Sequence, residues 1–395
     1  MPTKIKPFLI LDAFRGFACL WVVAYHMSEV LIARYPELRG TLLYRATDQG
    51  NAGVQMFFVI SGYCIASAMS GALRKEGSFG YFVKARVRRI YPTAMIAITL
   101  GLLYSLAAAA FVSHGVVASS TAADKGVWTR GPEYFLVNYT LTNCIFPQDF
   151  VLVQCWTLCY EVAFYLIVGL AMLALRTRFS ESTILHALHG LTIAALCALI
   201  VNPNSLHYPL DLWPEFGLGV IVYDLIRTRY AKPTVAWAAA AGLATLALIV
   251  LRNNPLGTME VMSRTQYAIS LGFTALLLVC HRYDAKISSW SVNRALGWVG
   301  LFSYSLYLTH TFSIGVFNQI IKHLHLPMQF HYVVFLSVIV AATLFGRFFF
   351  TFCEKPFMSS KAKKIHEAIQ HSDTDPAPEI AEETPRVSAP IGVVD

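Results

Sequence analysis

Continuous apolar runs of about twenty residues constrain this sequence more than any other feature. A run of that length lets an α-helix cross the hydrocarbon core of a bilayer. A membrane β-barrel would instead show short segments of alternating polarity. Charged residues make up only 14% of the chain, whereas soluble domains carry roughly 25%. The sequence therefore predicts an integral membrane protein that is built from helices and surrounded by lipid.

The runs set the expected architecture. We predict an all-α, polytopic membrane bundle of about ten transmembrane helices. The first run is predicted to be a retained helix and not a cleaved signal peptide, because Asp12 and Arg15 interrupt it. The predicted spans are 8–32, 51–70, 90–112, 152–175, 184–201, 210–228, 233–251, 267–281, 294–320 and 331–352.

Two regions follow from this pattern. Residues 1–357 are predicted to form one transmembrane domain, and 358–395 to form a largely disordered tail, because the tail is acidic, rich in proline and without apolar periodicity. No internal repeat or inverted similarity between the halves is visible, so the usual sequence pointer to a secondary transporter is missing.

The distribution of charge predicts the orientation. The formal net charge is +8. With the N-terminus inside, about 20 Lys and Arg residues fall in inward-facing segments and about 8 in outward-facing loops. The positive-inside rule then predicts a plasma (inner) membrane protein with both termini in the cytoplasm. Because topology explains the basic excess, no nucleic-acid partner is expected.

The first predicted helix carries Asp12, Arg15 and His26. Eleven residues of helix return within roughly 20° of the same face, so Arg15 and His26 share a polar stripe, about 16 Å apart along the axis. Asp12 lies on that stripe and can pair with Arg15. Ionisable residues inside spans are costly and default to a functional reading. Snorkelling of a neutralised Arg15 is an equally open explanation for that pair, whereas His26 suits proton transfer.

A basic segment precedes the third predicted span, and we expect it to be a cytoplasmic loop. Its cations are Lys84, Arg86, Arg88 and Arg89. Arg86 and Arg89 would lie one helical turn apart and could grip a polyphosphate with planar, bidentate guanidinium groups. Plain anchoring by the positive-inside rule explains the same residues, so the segment alone leaves both readings open.

Two further ionisable groups fall inside predicted spans. Glu161 lies near the start of the fourth span, where an unpaired carboxylate would only cost free energy. His310 lies well inside the ninth span, beyond Tyr304, whose hydroxyl could serve as polar glue between helices. Cys155 and Cys159 are one turn apart, but no nearby His or Cys completes a ligand set, so no metal is expected.

These residues sit in six short motifs that occur in one order along the chain. The motifs are LDAFRGFACLWVVAYH, GVQMFFVISGY, RVRR followed by IYP, WTLCYEVAFYL, SYSLYLTH and CEKPF. Across residues 8–357 the sequence resembles the acyltransferase 3 family of integral membrane acyltransferases. Each motif is weak alone, but their order and topological places are specific. The usual glycine of the first motif is Ala13 here, and Tyr160 stands where smaller residues are common.

The resemblance implies an O-acyltransferase. Family members move an acyl group, most often acetyl, from cytoplasmic acyl-CoA to a hydroxyl of an extracytoplasmic carbohydrate. Some members append a hydrolase-like domain, and this chain is expected to be a stand-alone transferase. The expected donor is acyl-CoA, acetyl-CoA above all. The candidate residues are His26, Arg15, Asp12 and Glu161 for catalysis, and Arg86, Arg89, Tyr304 and His310 for binding of the donor.

Other functions fit the same residues. A proton-coupled transporter or flippase for a glycan or lipid-linked sugar could use Asp12, Arg15 and His26 as a proton relay. A scaffolding or sensory membrane protein could use its polar residues only to lock helices together. Within the enzyme reading, His26 could be a general base or a transient acyl carrier, and the sequence does not decide between them.

Overall fold

The computed structural model describes residues 8–74, 78–113, 129–175, 180–202, 205–228, 242 and 264–358. Every regular element in these ranges is helical, so the predicted all-α class is confirmed. The α-helices are α1 (Ile10–Arg34), α2 (Leu42–Thr47), α3 (Gly53–Leu73), α4 (Ser78–Ser113), α5 (Pro132–Thr140), α6 (Trp156–Leu175), α7 (Glu181–Val201), α8 (Trp213–Arg227), α9 (Arg264–Arg282), α10 (Asp284–Ser288), α11 (Ser291–Gly300), α12 (Ser303–Leu324) and α13 (His331–Phe349).

Six helical segments of the described chain are long and apolar enough to cross a membrane, and a seventh apolar helix, Ala268–Arg282, is shorter. The six are Ile10–Arg34, Leu42–Leu73, Ser78–Ala110, Val153–Leu175, Glu181–Leu199 and Met328–Phe357. The predicted count of about ten is not confirmed. The predicted span 233–251 falls almost wholly outside the described residues, as does the predicted tail 358–395, so the domain boundary at 357 stays a prediction.

The predicted span 294–320 is wrong as a single helix. The helix stops at Gly300, at the end of α11, and a new one begins at Ser303, at the start of α12. Phe302 lies in the break and is fully buried. Gly300 packs so closely on α1 that a Cβ there would lie 1.8 Å from the carbonyl oxygen of Asp12. Tertiary packing at this point therefore outweighs the continuous apolar run.

The basic segment expected to be a loop is also helical. Helix α4 starts at Ser78, twelve residues before the predicted span, and continues through Pro92. Arg86 and Arg89 therefore project from a rigid helix about one turn apart. Proline removes one backbone hydrogen bond from a helix interior, and the chain accepts that loss within a 36-residue helix.

Helix α8 lies at the centre of the bundle. Its residues from Trp213 to Ile226 are all buried. It crosses α3 at Gly62 and Gly219, where a Cβ on either glycine would lie 1.9 Å from a backbone oxygen of the other helix, on Phe216 and Val59 respectively. Small residues let helices in a membrane approach this closely. The contact at Gly62 and Gly219 therefore joins α3 to α8.

Helix α1 is held at its first turn by an element far along the chain. The carboxylate of Asp284 accepts hydrogen bonds from the backbone N–H groups of Leu9 (2.8 Å) and Ile10 (2.9 Å). These donors have no partner within the helix, and a carboxylate at this end also complements the helix dipole. The contact fixes the start of the helix that carries the polar stripe.

Candidate active site

The polar stripe lies on one uninterrupted helix, because α1 runs from Ile10 to Arg34. The guanidinium of Arg15 donates from Nη1 to Asp12 Oδ1 at 2.7 Å and from Nη2 to Cys64 Sγ on α3 at 2.9 Å. Arg15 is therefore tied between two helices, and Asp12 neutralises it as the spacing predicts. Its side chain is turned into the bundle and is only 23% exposed, which is not the arrangement of an arginine that snorkels to water.

A cavity of about 100 Å³ opens beside Arg15. Helices α1, α3, α4, α6 and α12 supply its walls. We call it the arginine cavity, because three of its lining residues are arginines. Its polar and aromatic lining residues are Arg15, Ser61, Cys64, Arg86, Arg89, Thr157, Glu161, Tyr165, Ser303, Tyr304 and Tyr307.

Arg86 and Arg89 face this cavity from α4. The guanidinium carbon of Arg86 lies 5.6 Å from the centre of the Tyr165 ring, within cation–π range. Its Nε atom is buried and has no hydrogen-bond partner among the described residues. Three guanidinium groups therefore share the lining with one carboxylate, Glu161. The charged side chains of the lining therefore carry a net positive charge.

Glu161 has the partners that an intramembrane carboxylate needs. Its Oε1 atom accepts hydrogen bonds from the hydroxyls of Ser61, at 3.0 Å, and Tyr165. The bond to Tyr165 holds the ring on which Arg86 stacks. Glu161 thus holds one wall of the arginine cavity in place. Its own side chain also lines the cavity, where a site residue is expected.

Tyr304 joins α12 to α4. Its ring lines the arginine cavity, and its hydroxyl donates to the carbonyl oxygen of Ile90 at 2.9 Å. Ile90 directly follows Arg89 in the chain, so this bond fixes the backbone beside the second arginine of α4. The structure therefore brings Arg15, Arg86, Arg89, Glu161 and Tyr304 around one cavity.

His310 is found elsewhere, against His26. The two imidazole rings are stacked, with centroids 5.3 Å apart and planes inclined by 27°. His26 is exposed and His310 is fully buried. His310 Nδ1 lies 2.6 Å from the carbonyl oxygen of Tyr307, so it carries the proton and donates. Its Nε2 is left as an acceptor with no partner in the described part of the chain.

Tyr307 connects this histidine pair to the arginine cavity. Its ring lines the cavity and lies 5.8 Å from the ring of His310. Its hydroxyl accepts a hydrogen bond from Thr157 at 3.1 Å and donates to the carbonyl oxygen of Gln154 at 3.3 Å. One fixed aromatic side chain therefore separates the cationic end of the site from the imidazoles.

The sequence reading missed Glu354. This residue belongs to a π-helical turn, Phe350–Glu354, that continues α13. Its carboxylate is buried and accepts a hydrogen bond from Ser305 Oγ at 2.6 Å. The closing CEKPF motif contains it, and a carboxylate at the end of an apolar run was the available signal. Turns of π-helix are rare and are frequent at functional sites.

Metal ligation was tested on the same residues. Within the described ranges, no group of three or more His, Cys, Asp or Glu side chains is arranged to hold a metal ion. The stacked histidines offer only two imidazoles, and the carboxylates of Asp12 and Glu161 are already engaged by hydrogen bonds.

Comparison with known families decides the classification. The family model described as an acyltransferase domain matches residues 8–351, which is most of the chain. The chain belongs to the acyltransferase 3 family. The expected family is therefore confirmed, and with it an acyltransferase domain that includes every candidate site residue.

Relatives in this family are distant in sequence. The putative peptidoglycan O-acetyltransferase YrhL of Bacillus subtilis is 23% identical over 375 residues, covering 88% of this chain and 54% of its own length. The O-acetyltransferase OatA of Staphylococcus aureus is 22% identical over 373 residues, covering 88% and 56%. The acyltransferase MdmB of Streptomyces mycarofaciens is 25% identical over 249 residues, covering 58% and 60%. The chain spans about half the length of the first two relatives. No solved structure matches it.

Proposed function

We propose that the chain is a membrane O-acyltransferase that moves an acyl group, acetyl first of all, from cytoplasmic acyl-CoA to a hydroxyl of an extracytoplasmic carbohydrate. The observation that carries the proposal is that α1 ties its Arg15 into a cavity with Arg86 and Arg89 while it presents His26 to His310. The names of the relatives YrhL and OatA support acetyl as the group, and the name of YrhL supports peptidoglycan as the acceptor.

The arginine cavity supplies the donor site of this proposal. Acyl-CoA carries several phosphates, and guanidinium groups bind phosphate through paired hydrogen bonds. Arg86 and Arg89 offer such groups from one face of α4, and Arg86 has an unsatisfied donor there. The flexible arm of the donor would then run past Tyr307, which places its thioester beside the histidine pair.

His26 acts at the acceptor in this scheme. As a general base it takes the proton from the acceptor hydroxyl. The oxygen attacks the thioester carbon, a C–O bond forms and the C–S bond breaks. The leaving thiolate takes the proton back from the imidazolium. As an acyl carrier, His26 would instead hold the acyl group between two such transfers. Exposure of His26 suits either role, because the acceptor must reach it.

His310 stacks on His26, the proposed base. Its Nδ1–H is committed to the carbonyl oxygen of Tyr307, so only the Nε2 lone pair is available. Two imidazolium groups in contact repel each other, so the stacked pair carries at most one positive charge. We therefore assign His310 to the reacting end of the site and no longer to the binding of the donor's phosphates.

The orientation proposed for this reaction follows from charge. We propose that the bundle end with Arg86 and Arg89 faces the cytoplasm of the plasma membrane, together with both chain termini. The acceptor end of α1 then lies outside. A membrane-impermeant thiol reagent that labelled a cysteine placed at position 84 from outside intact cells would reverse this assignment.

The deciding experiment follows the acyl group. Purified protein in detergent would be given acetyl-CoA and acceptor glycans, and envelope polysaccharides would be compared by mass spectrometry with and without the gene. The proposal expects a loss of acetyl mass in cells and CoA release in vitro. A transporter or flippase would instead need a proton gradient and no acyl-CoA, so activity that follows the gradient alone would replace our proposal.

A further inference from the structure

Arg347, near the end of α13, is held in an aromatic cage on the outside of the bundle. Its guanidinium carbon lies 5.4 Å from the ring centre of Phe350, 5.7 Å from that of Phe302 and 5.8 Å from that of Trp298. All three distances are within the range of cation–π attraction. The rings come from α11, the break before α12 and the turn after α13, so three elements position one guanidinium.

This guanidinium has no counter-charge in the described structure. No ion pair or hydrogen bond from Arg347 to a described residue exists, and its Nη1 atom is buried against the cage without an acceptor. Arg15 in the arginine cavity, by contrast, has both a carboxylate partner and a thiol partner. A lone cation at a lipid-facing surface is costly. The cage fixes it there, and the residue as a whole is only partly buried.

The side chains around Arg347 indicate that this surface faces lipid at the level of the headgroups. Leu344, Phe348 and Phe352 flank Arg347 on α13 and its extension, and each is more than half exposed, as lipid-facing side chains are. Trp290 and Trp298 are exposed on the neighbouring element. Exposed tryptophans mark the level of the headgroups at a membrane surface.

A second cation lies nearby in the chain. Arg294 is exposed on α11, one helical turn before the cage residue Trp298. The cage also lies towards the end of the bundle where Arg88 donates to the carbonyl oxygen of Phe357 at 2.7 Å. This is the end with the chain's basic segment, and a leaflet of anionic lipid is attracted to such a surface.

We infer that Arg347 and its aromatic cage form a binding site for the phosphate of an anionic phospholipid. The rings hold the guanidinium at the headgroup level, and its planar fork matches a phosphate. The exposed apolar side chains on either side accommodate acyl chains. None of these residues lines the arginine cavity, so the site is separate from the one proposed for acyl-CoA.

Native mass spectrometry of the full chain tests this inference. Protein in mixed micelles would be offered phosphatidylglycerol and, at equal concentration, phosphatidylcholine. We expect wild type to retain phosphatidylglycerol about tenfold better, because phosphatidylcholine carries a choline cation beside its phosphate that repels the guanidinium, and phosphatidylglycerol carries none. Arg347→Gln, which keeps most of the side-chain volume under the rings, should reduce retention to the level of phosphatidylcholine.

Matched variants separate the site from general charge. Arg282→Gln removes an exposed arginine at the end of α9 that no described ring covers, and it should bind lipid as wild type does. Arg347→Lys keeps the charge but lacks the planar guanidinium, so its lipid retention should fall between that of wild type and that of Arg347→Gln. A thermal unfolding trace for each variant shows that the comparison is made on folded protein.

Three results would overturn the inference. Equal retention of the two lipids by wild type would remove the preference for an anion. Equal losses of lipid retention in Arg347→Gln and Arg282→Gln would show that retention depends on surface charge in general and not on the cage. Displacement of the lipid by millimolar inorganic phosphate would show a site for free phosphate and not for a lipid headgroup.

Discussion

The two ends of the proposed site are built differently. At the arginine cavity, Arg15 is bound to Asp12 and Cys64, and Glu161 is bound to Ser61 and Tyr165, so these two charges have partners before any ligand arrives. At the histidine pair, one hydrogen bond fixes His310, and no described residue bonds to its Nε2. The first end is a preorganised binding surface. The second leaves polar atoms for the substrate to satisfy.

This difference predicts which measurements each end controls. Side chains that bind a donor equally in the ground state and transition state change KM and leave kcat in place. Side chains that act only on the reacting atoms change kcat. We therefore expect substitutions at the arginine cavity to change KM and substitutions at the histidine pair to change kcat.

His26→Ala should give the largest effect. Loss of a general base costs roughly 10²- to 10⁴-fold in rate, and loss of an acyl carrier would cost at least as much. The protein should remain folded, because alanine removes a polar group from a membrane helix and adds none. The measurement is acyl transfer by purified protein, with a thermal unfolding trace beside it.

A matched control for His26 is His186→Ala, since His186 is also an exposed histidine of an apolar helix, α7, and lies outside the site. It should transfer as wild type does. Near-normal turnover of His26→Ala would remove His26 from catalysis. Failure of His26→Ala to fold would support the reading in which it only packs the helices.

Arg86→Ala combined with Arg89→Ala should come next and should act on KM. We expect KM for acyl-CoA to rise at least about 100-fold, because each hydrogen bond to a charged group contributes about 1.5–3 kcal/mol, the double variant removes two of them, and 1.4 kcal/mol is tenfold. The exposed Lys84→Ala variant of the same helix is the control. If the substitutions at Arg86, Arg89 and Lys84 changed KM equally, the segment would act as a membrane anchor. The arginine cavity would then not be a donor site that differs from the histidine pair.

Arg15→Lys tests the planar fork with the charge retained. Arg15 bonds to α1 and α3 at once through Nη1 and Nη2, and a lysine has only one nitrogen to offer. We expect a loss of about tenfold in kcat/KM from one charge-assisted bond. Unchanged kinetics would show that Arg15 contributes only its charge.

Glu354→Gln should give the smallest effect, and on stability. The carboxylate accepts one hydrogen bond from Ser305 in a buried setting. Replacing a charged acceptor by an amide should lower the free energy of unfolding on the order of 1 kcal/mol. Thermal unfolding in detergent measures this, with Glu37→Gln in the exposed 3₁₀ turn Pro36–Gly40 as control. A large fall in kcat with unchanged stability would move Glu354 into the reacting group.

The sequence predicted those parts of the fold that depend on local pattern. Apolar runs predicted the helices, and the spacing of Asp12, Arg15 and His26 predicted one stripe on one helix. The spacing of Arg86 and Arg89 predicted a pair one turn apart, and α4 provides it. Each of these features is encoded within a few turns of the chain.

The missed features depend on contacts between distant segments. No spacing rule joins His26 to His310, whose rings meet only because α1 and α12 pack together. The break at Phe302 follows from the close contact of Gly300 with α1, and an apolar run cannot reveal it. The π-turn that directs Glu354 inward and the cage around Arg347 likewise depend on neighbours from other elements.

The carboxylate of Asp284 has a consequence for how the protein is made. It binds the first turn of α1 across 274 residues of chain. At roughly 5–20 residues per second of synthesis, Asp284 leaves the ribosome on the order of 15–60 s after the residues that it caps. During that time α1 sits in the membrane without this cap and without α11 beside it. The helix that carries Arg15 and His26 is made long before the carboxylate that caps it, so a chain that ends before Asp284 does not hold this helix as the finished protein does.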